Sequence, residues 1–188
     1  MVQTVLFSAV FYGANIIFDK QFGFLKETLV APVSRFKIMI GGALGGATTS
    51  TLQGMLVFFI ALALGFRPHD WLLLLLALVV LTLLALALTS FSSAIGSFVN
   101  DMQGFQAINQ FLIFPLYFLS GALYPLTGAP NWLRIIGEIN PISYAVDALR
   151  EALINQSQFG YVKDFSVLVG TLIVLMAIGV WRFRHIEA

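Results

Sequence analysis

Few side chains in this sequence are of the kinds that do covalent or metal chemistry. Its two histidines, His69 and His185, stand far apart, neither belongs to an H-E-x-x-H pair, and cysteine is absent. No zinc pair, thiolate metal site or disulfide follows from such a set, and the redox compartment is left undetermined. The one Ser-Gly pair in an apolar run, Ser120-Gly121, follows Phe118-Leu119 and lacks the first glycine of a G-x-S-G hydrolase site. No glycine precedes a lysine anywhere, so the phosphate-cradling G-x-x-x-x-G-K-S/T loop is missing as well. What remains is binding chemistry, carried by amides and hydroxyls inside apolar stretches. Gln103, Gln106 and Gln110 recur at i, i+3 and i+7 with Asn109 alongside, and Thr48, Thr49, Thr51 and Gln53 form a second polar row. A polar group at membrane depth either bonds to a neighbouring helix or faces water. Gln106, Asn109, Gln110, Thr48 and Thr51 are therefore candidates for lining a path, with helix-to-helix hydrogen bonding as the alternative. No aromatic cage or charged cluster within the apolar stretches singles out a ligand.

The elements that must position these residues follow from composition. Of 188 residues, 59% are apolar and 10% charged, against roughly 45–50% and 25% in soluble domains. One small core cannot hide that much apolar surface, so lipid must solvate the outside. A soluble enzyme, a disordered chain and a nucleic-acid binder are excluded; the net charge of +1 supplies no field for phosphate backbones. The charges cluster at 19–37, 67–70, Asp101, 134–164 and 182–187. Each charge-free gap is near or above the roughly 17–25 residues of a spanning helix. The chain is thus expected to be an all-α membrane protein with five transmembrane helices, at 1–18, 38–66, 71–99, 104–125 and 165–182. Trp71, Trp132 and Trp181 at the gap edges suit the headgroup level. Pro115 should kink the fourth span, and Tyr124-Pro125 should break it.

Lysine and arginine set the orientation. The short 19–37 loop carries four basic residues, the next two loops one and none, so 19–37 and the C-terminus are placed in the cytoplasm. Within that loop Phe22, Leu25 and Leu29 form an apolar stripe with Lys26 and Glu27 beside it, a short amphipathic helix that Pro32 ends. Such a helix either lies on the membrane or docks a partner. On the opposite side, 126–163 is too long for a hairpin. Asn140-Pro141 opens a helix there with Ile142, Ala145, Val146 and Leu149 on its apolar face and a possible Asp147–Arg150 ion pair at i, i+3. Gly41/Gly45 and Gly42/Gly46 overlap as G-x-x-x-G pairs, expected to pack helices within the chain.

Two separated stretches resemble one family. FDKQFGFLKETLVAPVSR (18–35) with IMIGGALGG (38–46), and SGALYPLTGAPNWLRIIGEINPISYAVDALR (120–150), are similar to permeases of the ABC transporter type-2 family, in the order found there. The resemblance covers nearly the whole chain as family spans two to six, and implies one further span before Met1. That agrees with the awkward placement of Met1 outside the cytoplasm.

The resemblance implies a transmembrane subunit of an exporter for a drug, lipid or glycan-type substrate, in the cell membrane and not catalytic by itself. It would bind no cofactor directly; ATP and Mg would sit on a separate ATP-binding-cassette ATPase subunit. The implied docking segment is 19–36, through Phe22, Leu25, Lys26, Glu27, Leu29 and Arg35. A second permease copy, as homodimer or heterodimer, and membrane lipid are the other implied partners. Residues 126–163 would form re-entrant helices capping the path, with Tyr124, Pro125, Asn140, Pro141, Tyr144, Asp147 and Arg150 in the cap; a surface amphipathic helix is the alternative. A channel, a non-transporting assembly factor and an inactive permease fragment are the rival readings.

Overall fold

A computed structural model describes residues 1–24, 33–124 and 128–184. Seven helices and no strand occur among them: α1 (Val2–Gln21), α2 (Arg35–Ala63), α3 (Leu73–Phe98), α4 (Met102–Phe118), α5 (Asn131–Ile139), α6 (Pro141–Ile154) and α7 (Tyr161–Arg184). Local signals fix the starts. Ser34 accepts a hydrogen bond from the Lys37 amide ahead of α2, Asp101 accepts from Gly104 ahead of α4, and Asn140 accepts from Ile142 ahead of α6. Pro141 takes the first position of α6, where its missing N–H costs nothing.

Four helices, α1, α2, α3 and α7, are long and apolar enough to cross a bilayer. The run expected to span 104–125 ends as a helix at Phe118, after 17 residues. At about 1.5 Å per residue this is about 25 Å, short of a hydrocarbon core of about 30 Å. The early stop has a local cause. Pro115 removes one ladder bond within the last turn, Ser120 Oγ then donates to the Tyr117 carbonyl, and Gly121 turns the chain at φ 74°.

Helix α3 is the axis of the bundle and packs against α1, α2, α6 and α7. Half of its most apolar stretch is buried, compared with 17% for α7, whose outer face keeps Val162, Ile173 and Val174 exposed. The core joins Val5, Leu6 and Ala9 of α1 to Leu81, Leu84 and Leu88 of α3 and to Ala145 and Leu149 of α6. Helices α1 and α3 approach at Gly13 and Gly96, where a Cβ on Gly96 would lie 2.5 Å from the Gly13 carbonyl oxygen. Ser92 seals that crossing by accepting from the Gly13 amide and donating to the Val10 carbonyl.

The C-terminal ends of α1, α3 and α7 meet at one end of the bundle. Lys20 Nζ donates to the carbonyls of Gly96 (3.1 Å) and Ser97 (2.9 Å), and the Arg182 guanidinium lies 3.8 Å from the Phe98 ring. The segment after α1 and the end of α7 therefore share a side. Helix α6 is no surface helix: from Ile142 to Leu149 every residue is buried, wedged between α3 and α7. Its 14 residues start beside Leu84 and Leu88, mid-way along α3.

Candidate functional site: an amide and aromatic cleft

The capped start of α4 sets which face its amides present. Asn109 turns inward and is 6% exposed, while Gln106 and Gln110, three residues before and one after, stay at the rim. With α1 they border a cleft of about 240 Å³ between the two helices. Phe7 and Phe11 come from α1, and Phe105 and Phe114 from α4. The Phe7 and Phe114 rings meet edge to face with centroids 5.5 Å apart, and Phe114 stacks on Phe118 at 6.2 Å. Val10 and Ile113 complete an apolar lining with no charged side chain in it. Neither the Nδ2 nor the Oδ1 atom of Asn109 has a hydrogen-bond partner. A buried primary amide with its donor and acceptor both unmade is costly.

The two polar rows do not converge. Thr48 is exposed on α2 and donates to the Leu44 carbonyl, and Thr51 is buried in α2 with no partner for its hydroxyl; neither borders the cleft. Sequence periodicity did not show that phenylalanines of two helices border one cleft. Phe7 and Phe11 join Phe105 and Phe114 only because α1 and α4 lie together, which a linear reading of periodicity cannot show.

Among the glycines of the G-x-x-x-G pairs, Gly42 and Gly46 face α1: a Cβ on Gly46 would lie 2.6 Å from the Tyr12 ring. Gly41 has nothing within 4 Å and Gly45 only the Tyr12 hydroxyl at 4.0 Å, so that pair looks outward. In the segment after α1, Phe22 is exposed and stacks on Phe18, and Arg35 is exposed at the start of α2. Leu25, Lys26, Glu27 and Leu29 lie outside the described residues, as does Pro125.

The remaining cap residues form a bonded cluster at the end of the bundle opposite Lys20. Asn140 donates to Leu116, Tyr144 to Glu138, Tyr124 to Phe118 and Arg150 to Gly121, in each case at a backbone carbonyl. The expected Asp147–Arg150 ion pair does not form. The Asp147 carboxylate instead accepts from Ser157 Oγ and from the amides of Gln158 and Phe159, which fastens the α6–α7 connection onto α6. Sequence reading also missed Asp164, fully buried in the first turn of α7 with no hydrogen-bond partner, and the buried hydroxyls Thr89, Ser90, Ser92 and Ser93 of α3. Asp164 ends the 134–164 charge cluster, next to the expected 165–182 span, and nothing in that spacing marks it as buried.

Comparison with known proteins adds an independent line. The sequence profile described as ABC-2 type transporter matches residues 1–154. A putative transport permease ycf38 of Cyanophora paradoxa is 30% identical over 184 residues, 95% of this chain and 63% of that protein. The inner membrane transport permease YadH of Escherichia coli is 31% identical over 160 residues, covering 85% and 59% respectively. Nodulation protein J of Rhizobium meliloti is 28% identical over 117 residues. The chain thus spans between half and two thirds of the length of the curated permeases named here.

Proposed function

Since the chain belongs to the ABC-2 type transporter family, we propose that it is a membrane-spanning subunit of an exporter driven by a separate ATP-binding-cassette ATPase. The match of that profile over residues 1–154 is the observation that carries the reading. ATP and Mg belong to the ATPase subunit, which grips residues 19–36, with Phe22 and Arg35 at the two described margins of that segment. The basic loop supports a cytoplasmic position for this side, and the membrane proposed is the cell membrane. Helix α4 completes five crossings where the bilayer is locally thinned. Helices α5 and α6 form a re-entrant pair, a reading supported by the burial of α6 and by its start beside the middle of α3.

The α1–α4 cleft is one wall of the path, and a second copy or a related permease supplies the other. Closure of the ATPase subunits displaces the cytoplasmic segment, and rigid-body movement of the helices it joins changes access to the cleft. Co-purification and co-reconstitution with a cassette ATPase test this. Glu27→Arg is expected to abolish stimulation of ATP hydrolysis while membrane insertion is unchanged. Failure of the unmodified chain to recruit or stimulate any cassette ATPase overturns the exporter reading.

A further inference from the structure

We propose that Asp164 is a proton-binding site, and that the proton it holds latches the connection between α6 and α7 and makes that pole of the bundle sensitive to pH. Asp164 is fully buried in the first turn of α7, and neither of its carboxylate oxygens has a hydrogen-bond partner among the described residues. An ionised carboxylate so placed loses its hydration with nothing in return, whereas the neutral acid loses far less. Neighbouring charge acts in the same sense. Asp147 and Glu151 approach from α6, and Glu151 Oε2 is itself buried without a partner. The charge of Asp147 is met by Ser157 Oγ and the amides of Gln158 and Phe159, and a second negative charge beside it is repelled. On α7 itself the neighbours are Tyr161, whose buried hydroxyl has no partner, and Lys163, the opposing charge, whose ammonium lies 4.9 Å from the Phe159 ring centroid. Helix α3, packed on both α6 and α7, has no titratable residue, and those of α2, Arg35 and Lys37, are in its first turn at the opposite pole. The α2–α3 connection, with Arg67, His69 and Asp70, meets α6 where the His69 amide donates to the Leu153 carbonyl.

The two aspartates stand on either side of one short connection. Asp147 fastens residues 157–159 from α6, and the Asp164 amide bonds back to the Gly160 carbonyl at the start of α7. Residues 155–158 are exposed. Release of the donors from Asp147 therefore frays the first turn of α7 and opens Asp164 to water, a local opening that leaves the rest of the bundle packed. In the open form Asp164 ionises as an ordinary carboxylic acid; in the closed form it keeps its proton. Rising pH thus favours the open form, and falling pH closes it, with one proton released per opening.

The test is hydrogen exchange of the Gln158 and Phe159 amides in the full chain in lipid nanodiscs, followed by mass spectrometry from about pH 5 to about pH 8. After division by the intrinsic rate at each pH, exchange of this connection is expected to quicken by up to about tenfold per pH unit over part of that range. Asp164→Asn, which keeps the shape of the neutral acid, is expected to remove the rise and leave exchange slow at every pH. Glu151→Gln is expected to retain a rise, which assigns the proton to Asp164. Infrared spectroscopy with isotope-labelled aspartate keeps the test available if Asp164→Asn does not insert. The carbonyl band of a protonated aspartate is expected in the unmodified chain, disappearing over the pH range in which exchange quickens. A flat profile in the unmodified chain, an equal rise in a folded Asp164→Asn chain, loss of the rise in Glu151→Gln, or absence of the infrared band overturns the inference. Both measurements are made without nucleotide or ATPase, so the proton site stands or falls separately from the exporter reading.

Discussion

Asp147 shows how a single carboxylate can organise a connection. It is 3% exposed, yet its charge is met by a serine hydroxyl and two backbone amides from residues 157–159. Charge-assisted bonds of this kind contribute about 1.5–3 kcal/mol each to stability where their donors have no alternative partner. Asp147→Ala should therefore lower stability by about 2–4 kcal/mol, read as an earlier thermal transition in detergent. The same change at the exposed Glu138, which pairs with Arg134 at 3.4 Å, should shift it by less than about 0.5 kcal/mol. Helical spacing made an Asp147–Arg150 pair plausible, since i, i+3 side chains are neighbours. It could not show that the chain after Asn155, turned by a left-handed residue at φ 56°, brings its amides back over Asp147. The amides Gln106, Asn109 and Gln110 were legible as one face. The burial of Asn109 was not, because the α1 side of the cleft comes from about a hundred positions earlier.

At the scale of helices, charge-free gaps located α1, α2, α3 and α7 to within a few residues, because an ionised side chain in lipid is costly wherever it falls. Helix α4 was over-extended: hydropathy continues smoothly through Leu119-Ser120-Gly121, whereas the backbone ladder does not survive Pro115 and the Ser120 bond to Tyr117. The glycine pairs were half legible. Spacing marks a small-residue stripe without saying which side a partner occupies, and only Gly42 and Gly46 meet α1. A paired substitution separates the two cases. Gly13→Ala would force its Cβ into Ser92 of α3 and should destabilise by about 1–3 kcal/mol. Gly41→Ala meets open space and should stabilise the isolated subunit by up to about 1 kcal/mol through helix propensity. Both are read from thermal unfolding in one detergent.

For the molecule as a whole, the meeting of the α1, α3 and α7 ends divides the bundle into two chemically distinct poles. The chain has no cysteine, so single introduced cysteines report these poles cleanly. Ser34→Cys and Gln156→Cys should react with an impermeant maleimide from opposite sides of the membrane, Gln156→Cys from outside intact cells and Ser34→Cys only after permeabilisation. Labelling of both from one side would contradict the arrangement of helices. The pole that carries Lys20 has a mechanical consequence. Its ammonium belongs to the last turn of α1 but holds the final carbonyls of α3, and Ser92 clasps the same two helices further along. Fastened at two points, α1 and α3 cannot slide past each other without breaking those bonds. A displacement of α1 at this pole is therefore expected to carry α3 with it, together with the α6 helix packed on α3.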